Sequence, residues 1–194
     1  MRVDALRVTP MTFGSAARAF LREHGTEAIE HPGGTLYSHL CRVEQRLAAA
    51  GAAPYVQLAG LTHAAYSTDG FDLALIPWTD RDVLRAVIGL EAEELVYLYG
   101  ACDRDRTWPA LATTSTVHDR FIGHKRILES HLIGPFVDLS IVNELDVIEQ
   151  NPALLVKHGD YFRDLFARWA PLTSPKVADE IQRLMGPRQV NSDQ

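Results

Sequence analysis

The chain has 194 residues, a length typical of one domain. Its content of 46% hydrophobic and 23% charged residues excludes a disordered chain, a collagen-like chain and a coiled-coil rod. The 19 basic and 25 acidic residues give a formal charge of −6, and the basic residues form no long run. We therefore expect no nucleic-acid partner and no anionic membrane surface as a partner.

Helical periodicity runs through most of the chain and predicts an all-α fold. In chain order, the predicted helices cover residues 13–24, 36–50, 55–66, 80–88, 90–99, 119–129, 137–149, a stretch after Pro152, and 175–184. Thr35 precedes the second helix as a predicted N-cap, and Ser174 with Pro175 opens the last one. Residues 101–117 have the least regular pattern.

No linker rich in Gly, Ser or Pro divides the chain, and no internal repeat is visible. We expect one helical domain over residues 1–186. Residues 187–194 follow Gly186 and are predicted to form a flexible tail.

Cysteine content and hydropathy indicate the compartment. Cys41 and Cys102 are too few for a disulfide framework, and they indicate free thiols in a reducing environment. No stretch approaches eighteen consecutive apolar residues, and the first residues lack the apolar segment of a signal peptide. The sequence predicts a cytoplasmic protein without a membrane span, and it does not indicate an oligomeric state.

Two histidines lie on predicted helices whose faces are otherwise apolar. His39 is adjacent to Leu40 in the helix 36–50, and His63 belongs to the helix 55–66, which is apolar almost all round. Burying an imidazole is unfavourable unless its nitrogens have partners. Each ring either bonds a carbonyl group of the core or shares a metal ion or ligand with the other ring. The spacing alone leaves both interpretations open.

The sequence around these histidines contains two further short motifs. Residues 58–64 are Leu-Ala-Gly-Leu-Thr-His-Ala, 24 positions separate His39 from His63, and residues 139–145 are Leu-Ser-Ile-Val-Asn-Glu-Leu. Over roughly residues 28–149 this pattern resembles the HD-domain superfamily, the helical metal-dependent phosphohydrolases and their di-iron oxygenase relatives. The resemblance implies a single HD-domain-like helical bundle whose first two histidines are metal ligands. The stretch from His31 to Leu98 also resembles an uncharacterised branch of HD-like proteins that has a small residue after the second histidine.

Two departures from the family pattern alter the expected chemistry. Ala64 stands where the family has the Asp of a His-Asp dipeptide, and Asn143 stands at the position of the late Asp. A two-metal centre depends on carboxylates to offset two dications, so we do not expect one here. One divalent ion (Fe, Mn or Zn) is the remaining metal option, held by His39 and His63 with Asn143, Glu144 or His31 as a further ligand.

Two alternatives to a metal enzyme remain open. In the first, the chain is a metal-independent lyase, isomerase or cyclase in which a histidine is the general base. In the second, it is a non-catalytic module that binds a ligand. In each case the partner is a small molecule. His31 is a third catalytic candidate, in a loop before Pro32, where it lies either over the pocket or on the plain surface.

Four residues are weaker candidates for substrate contact. Tyr37 and Tyr66 are close in sequence to the two histidines, although a buried tyrosine is more often a core residue with one hydrogen bond. Asp103 and Arg104 follow a predicted helix end, where they form either an anion clamp over the pocket or a surface ion pair.

One dipeptide imitates the family motif. His118 and Asp119 form a literal His-Asp pair, but a polar Thr/Ser run precedes them instead of an apolar segment. We expect this pair at the start of a helix, where Asp119 interacts with the helix dipole, and outside the site.

Overall fold

A computed structural model describes residues 12–186 and shows an all-α bundle, as predicted. The helices are α1 (Phe13–Glu23), α2 (Leu36–Ala49), α3 (Pro54–Thr62), α4 (Arg81–Ile88), α5 (Leu90–Ala101), α6 (Arg104–Thr107), α7 (Leu111–Thr114), α8 (Ser130–Gln150), α9 (Pro152–Trp169) and α10 (Pro175–Met185). A short 3₁₀ turn, Ala170–Leu172, connects α9 to α10. The predicted tail at 187–194 lies outside the described residues. No helix in the described part of the chain is long and apolar enough to cross a membrane.

Two small antiparallel hairpins interrupt the helices. The first consists of β1 (Glu30–His31) and β2 (Gly34–Thr35), and the second of β3 (Thr116–Asp119) and β4 (His124–Ile127). The first hairpin leads directly into α2 and covers one side of a cavity described below.

Helix α2 begins and packs as its sequence predicts. The Thr35 side chain accepts the Ser38 backbone N–H, and the Ser38 hydroxyl accepts the Thr35 N–H, so the two form a capping box. The apolar stripe of the helix is fully buried, and His39 lies on the same buried side. The sequence therefore places this histidine inside the protein.

Helix α3 is shorter than predicted and ends at Thr62 instead of residue 66. Gly60 allows it to pack closely on α2, because a Cβ atom at this position would overlap the Leu47 side chain. His63 takes the C-cap position, and the chain then turns through Ser67, whose φ is +70°. As a result His63 leaves the end of the helix towards His39.

Helix α8 is the central helix, and nearly every residue from Phe136 to Asp146 is buried. It begins at Ser130, seven residues before the predicted start, with Pro135 in its second turn. A proline that early removes a single helical hydrogen bond, so the helix continues through Gly134 and Pro135. The helix brings Asn143, Glu144 and Asp146 to the centre of the bundle.

The predicted helix at 119–129 is wrong, and a hairpin occupies most of this stretch. Asp119 accepts the backbone N–H groups of Phe121 and Ile122, and Gly123 has a φ of +72°. An Asp side chain bonded to the next backbone groups, followed by a left-handed Gly, forms a turn and not a helix start. Consequently His118 and Asp119 lie at the end of a strand, and Tyr97 donates its hydroxyl to Asp119.

Candidate functional site

A cavity of about 260 Å³ lies where the first hairpin, α2, the turn after α3, α6 and α8 meet. Six of the residues selected from the sequence line its wall: His31, His39, His63, Arg104, Asn143 and Glu144. These residues are far apart in the sequence, and the bundle brings them to one place.

His63 presents a free lone pair to this cavity. Its Nδ1 lies 2.8 Å from the carbonyl oxygen of Gly60, and since a carbonyl can only accept, Nδ1 carries the hydrogen. Burial, followed by the neighbouring His39 ring, lowers the pKa of His63 to about 3. The ring is therefore neutral at neutral pH, and its Nε2 bears a lone pair.

His39 is oriented by a buried carboxylate that the sequence analysis did not identify. Its Nδ1 donates to Asp146 Oδ2 at 2.7 Å, and the Asp146 side chain has no exposed surface. Arg42 donates to both oxygens of Asp146, at 2.8 and 2.9 Å, and also to the carbonyl oxygens of Pro32 and Gly33. Burial favours the protonated carboxyl, but the hydrogen bonds from His39 and Arg42 outweigh burial and hold the pKa of Asp146 below its usual range.

The Nε2 atom of His39 faces two other electron-rich atoms. It lies 3.4 Å from His63 Nε2 and 3.0 Å from Asn143 Oδ1. The amide nitrogen of Asn143 donates to Glu144 Oε1 at 2.9 Å, which fixes the amide with its oxygen towards His39. Two imidazole nitrogens and one amide oxygen therefore converge, and either a proton on His39 or a cation is needed between them.

The two separations from His39 Nε2 match those between ligands of one transition-metal ion. Two ligands at about 2.1 Å from one zinc ion lie about 3.0 Å apart at a right angle and about 3.4 Å apart at the tetrahedral angle. Both histidines donate their other N–H, one to the carboxylate of Asp146 and one to the carbonyl of Gly60, an arrangement that is also common in metal-bound histidines. Among residues 12–186, no group of three or more His, Cys, Asp or Glu is arranged to hold a metal.

Arg104 and Glu144 form an ion pair in the same wall. Nη1 of Arg104 donates to Glu144 Oε1 at 2.9 Å, and Nη2 donates to the Tyr99 hydroxyl at 2.7 Å. The guanidinium also lies 4.7 Å from the ring centre of Trp108. Burial alone lowers the pKa of Arg104, but Tyr99 and Glu144 outweigh burial, so the pKa is raised and the group stays charged.

His31 closes one side of the cavity. Its ring stacks on His39 with 4.1 Å between the centres and meets Phe71 edge-on at 5.7 Å. Burial, with His39 as the next cause, lowers the pKa of His31 to about 4, so this ring is neutral at neutral pH. Its Nδ1 is enclosed and has no hydrogen-bond partner among the described residues.

Three predicted substrate contacts do not line the cavity. Tyr37 lies under the guanidinium of Arg22, 4.8 Å from its ring centre, and Tyr66 donates its hydroxyl to the buried Glu93. Asp103 accepts the backbone N–H of Arg106 and caps α6. Each of these side chains therefore has its partner outside the cavity wall.

The sequence analysis missed Asp146 and Arg42, although a spacing signal was present. Asp146 follows Asn143 by three residues, and Arg42 follows His39 by three, so each lies one helical turn from a candidate ligand. The family motif in this helix covers residues 139–145 and ends one residue before Asp146.

Comparisons with known proteins give one match. Residues 20–104, less than half of the chain, match a family described as a domain of unknown function, DUF6817. The matched span contains His31, His39, His63 and Arg104 and ends before α8. No curated protein and no solved structure matches the chain.

Proposed function

We propose that the cavity is the active site of an enzyme that binds one divalent metal ion through His39, His63 and Asn143 and acts on a small molecule. The observation that carries this proposal is the position of His39 Nε2, which lies 3.4 Å from His63 Nε2 and 3.0 Å from Asn143 Oδ1. The sequence resemblance to the HD-domain superfamily supports it independently, because that family holds its metals with equivalent histidines. Loss of two carboxylates, at Ala64 and Asn143, favours one ion over two.

The protein's own residues prepare the site before any ligand enters. Asp146 and Gly60 fix the two imidazoles with Nε2 directed to the same point. Glu144 and Arg104 hold the Asn143 amide and border the space for the substrate. A divalent ion bound there would supply Lewis-acid polarisation of a substrate oxygen for hydrolysis or, if it is iron, redox chemistry for an oxidation.

A metal-independent reaction is the second candidate function, and one distance favours it. His39 Nε2 lies 3.0 Å from Asn143 Oδ1, which is hydrogen-bond distance if His39 carries a second proton. Asp146 would then balance an imidazolium, and the lone pair of neutral His63 would be the general base.

Metal binding by the full-length protein distinguishes the two candidates. Protein purified without chelator is analysed for metal content and then titrated calorimetrically with Zn²⁺, Mn²⁺ and, without oxygen, Fe²⁺. We expect one bound equivalent in the wild type and loss of binding by about 100-fold or more in His63→Ala, since a buried nitrogen ligand is removed. Circular dichroism confirms that the variant is folded.

His124→Ala is the matched control, because His124 is an exposed histidine of the second hairpin outside the cavity. It should bind metal like the wild type. If the wild type binds none of the three ions, or if His63→Ala binds as well as the wild type, the metal proposal is wrong and the metal-independent candidate remains.

A further inference from the structure

The cavity wall has an unequal set of charges. Three carboxylates border it, those of Glu30, Asp69 and Glu144, against one guanidinium, that of Arg104. Arg104 is the only Arg or Lys of the described residues in this wall. Besides any bound metal ion, an anionic substrate would need a cationic side chain whose charge is not already paired.

Arg104 already has its charge paired within the wall. One N–H of Nη1 donates to Glu144, one N–H of Nη2 donates to Tyr99, and the backbone N–H of Arg104 donates to Asp69 at 2.8 Å. A phosphate or carboxylate ligand on the remaining N–H groups would lie beside the Glu144 carboxylate, which neutralises the guanidinium and repels a second anion. Binding of an anion by Arg104 is therefore opposed by its neighbour.

Arg42, another cation near the histidines, already donates hydrogen bonds to four acceptors. It donates to both oxygens of Asp146 and to the carbonyls of Pro32 and Gly33, and it lies behind His39, outside the cavity wall. It therefore cannot replace Arg104 as a site for an anion.

Glu144 has one oxygen available to a ligand. Its Oε1 accepts hydrogen bonds from the side chains of Asn143 and Arg104, whereas its Oε2 accepts no hydrogen bond from the described residues. Because the side chain borders the cavity, Oε2 is an acceptor for a group that enters it. A carboxylate held in this way binds hydroxyl or ammonium donors and repels anions.

We propose that the Arg104–Glu144 pair selects the substrate of this cavity, which is a small molecule with hydroxyl or amine donors and without a phosphate group. This inference rests on the proposed function for the location of the active site, and it names the substrate class of that site. Glu144 accepts a hydrogen bond from the hydroxyl or amine group of the substrate. Arg104 holds Glu144 in place, and Glu144 neutralises the charge of Arg104.

Phosphate binding tests the rejection of anions. Inorganic phosphate is titrated into the full-length wild type, Glu144→Gln and the double variant Glu144→Gln/Arg104→Met, with line broadening in ³¹P NMR as the measurement. Gln keeps the shape and the acceptor oxygen but removes the charge, so Arg104 is left without its counter-charge. We expect phosphate to bind about tenfold or more tightly in Glu144→Gln than in the wild type, and this gain to disappear in the double variant.

Ethanolamine tests the acceptance of donors, since it carries a hydroxyl and an ammonium group and no phosphate. We expect saturation-transfer NMR signals from the wild type and about fivefold or weaker binding by Glu144→Gln, because the acceptor has lost its charge. Wild-type protein that binds phosphate through Arg104, shown by loss in Arg104→Met alone, would overturn the inference. Equal ethanolamine binding by the wild type and Glu144→Gln would also overturn it.

Metal content is measured in all these variants. Glu144 accepts the amide N–H of Asn143, so phosphate and ethanolamine binding are compared between proteins of equal metal content. If His63→Ala binds metal normally while the phosphate and ethanolamine results are as expected, the metal proposal fails and the selectivity inference stands.

Discussion

Two buried carboxylates on opposite sides of the bundle have nearly the same partners and different consequences. Glu93 on α5 accepts two hydrogen bonds from Arg81, one from Arg85 and one from the Tyr66 hydroxyl. Asp146 on α8 accepts two from Arg42 and one from His39. Both side chains are fully buried and both carry arginine partners.

The two carboxylates differ in the other contacts that their partner side chains make. The arginine partners of Glu93 donate their other N–H groups to Glu94 and Asp82, and none of the four residues of the cluster lines the cavity. The partner of Asp146 is an imidazole with a second nitrogen, and that nitrogen faces His63 and Asn143. A buried ion pair whose partners bond only structural groups stabilises the fold. A buried carboxylate that orients an imidazole leaves the second ring nitrogen able to bind a proton, a ligand or a metal ion.

The largest expected effect comes from a substitution that disrupts the Glu93 cluster. Glu93→Leu removes the charge that holds Arg81 and Arg85 in place, so the free energy of unfolding should fall by about 3 kcal/mol. Chemical denaturation measures the change. The same variant should bind metal with unchanged affinity as long as it is folded, and a variant that loses metal without losing stability would show that the two regions are not separate.

The next effect concerns Asp146. Asp146→Asn keeps an oxygen near His39 but removes the charge that orients the ring, so metal affinity should fall by about 10–100-fold. Calorimetric titration measures the affinity, and Glu149→Gln is a suitable control because Glu149 is a partly exposed acid on the same helix. Unchanged affinity in Asp146→Asn would place Asp146 in the same class as Glu93.

A substitution at Asn143 is expected to raise the affinity for a divalent metal ion. Asn143→Asp replaces a neutral oxygen by a carboxylate, which should raise the affinity for a divalent ion by about tenfold, because an anionic ligand offsets the charge of the ion. The neighbouring Glu144 opposes part of this gain, and Arg104 limits the opposition. A metal titration that shows equal or weaker binding would mean that residue 143 does not face the ion.

The smallest effect concerns a third buried carboxylate, Asp138, which accepts the backbone N–H of Ser174 at the start of α10. Burial raises the pKa of Asp138, and the hydrogen bonds from Ser174 only partly oppose it. The folded state therefore holds this proton more tightly than the unfolded chain, so its contribution to stability is greatest at low pH and is lost as pH rises through the raised pKa.

Asp138→Asn keeps the acceptor and removes the charge. The variant should match or exceed the wild type at pH 7 by on the order of 1 kcal/mol, and its advantage should shrink towards pH 3.5. Denaturation curves at both pH values measure this. An advantage that grows as pH falls would show that Asp138 is stabilised as a carboxylate, like Glu93.

Much of the fold follows from local pattern. Helical period and caps at Thr35 and Ser174 predicted α2 and α10 almost to the residue, because each helix buries a stripe that repeats along the sequence. His39 and His63 were identified for the same reason, since a polar ring on an apolar face needs a partner.

Other features depend on contacts between distant segments. Tyr66 lies close to His63 in sequence, but the chain turns after α3 and directs the tyrosine to Glu93. The second hairpin depends on Asp119 bonding the next backbone groups and on Gly123, features that short-range helical periodicity does not report. The role of Asp146 requires α8 to pack beside α2, which no local pattern indicates.

Arg42 contacts both the first hairpin, which borders the cavity, and the carboxylate that orients His39. One guanidinium bonds the carbonyls of Pro32 and Gly33 at the tip of the first hairpin and also the carboxylate behind His39. Arg42 therefore couples the position of the first hairpin to the orientation of the His39 ring, so a displacement of one would be transmitted to the other.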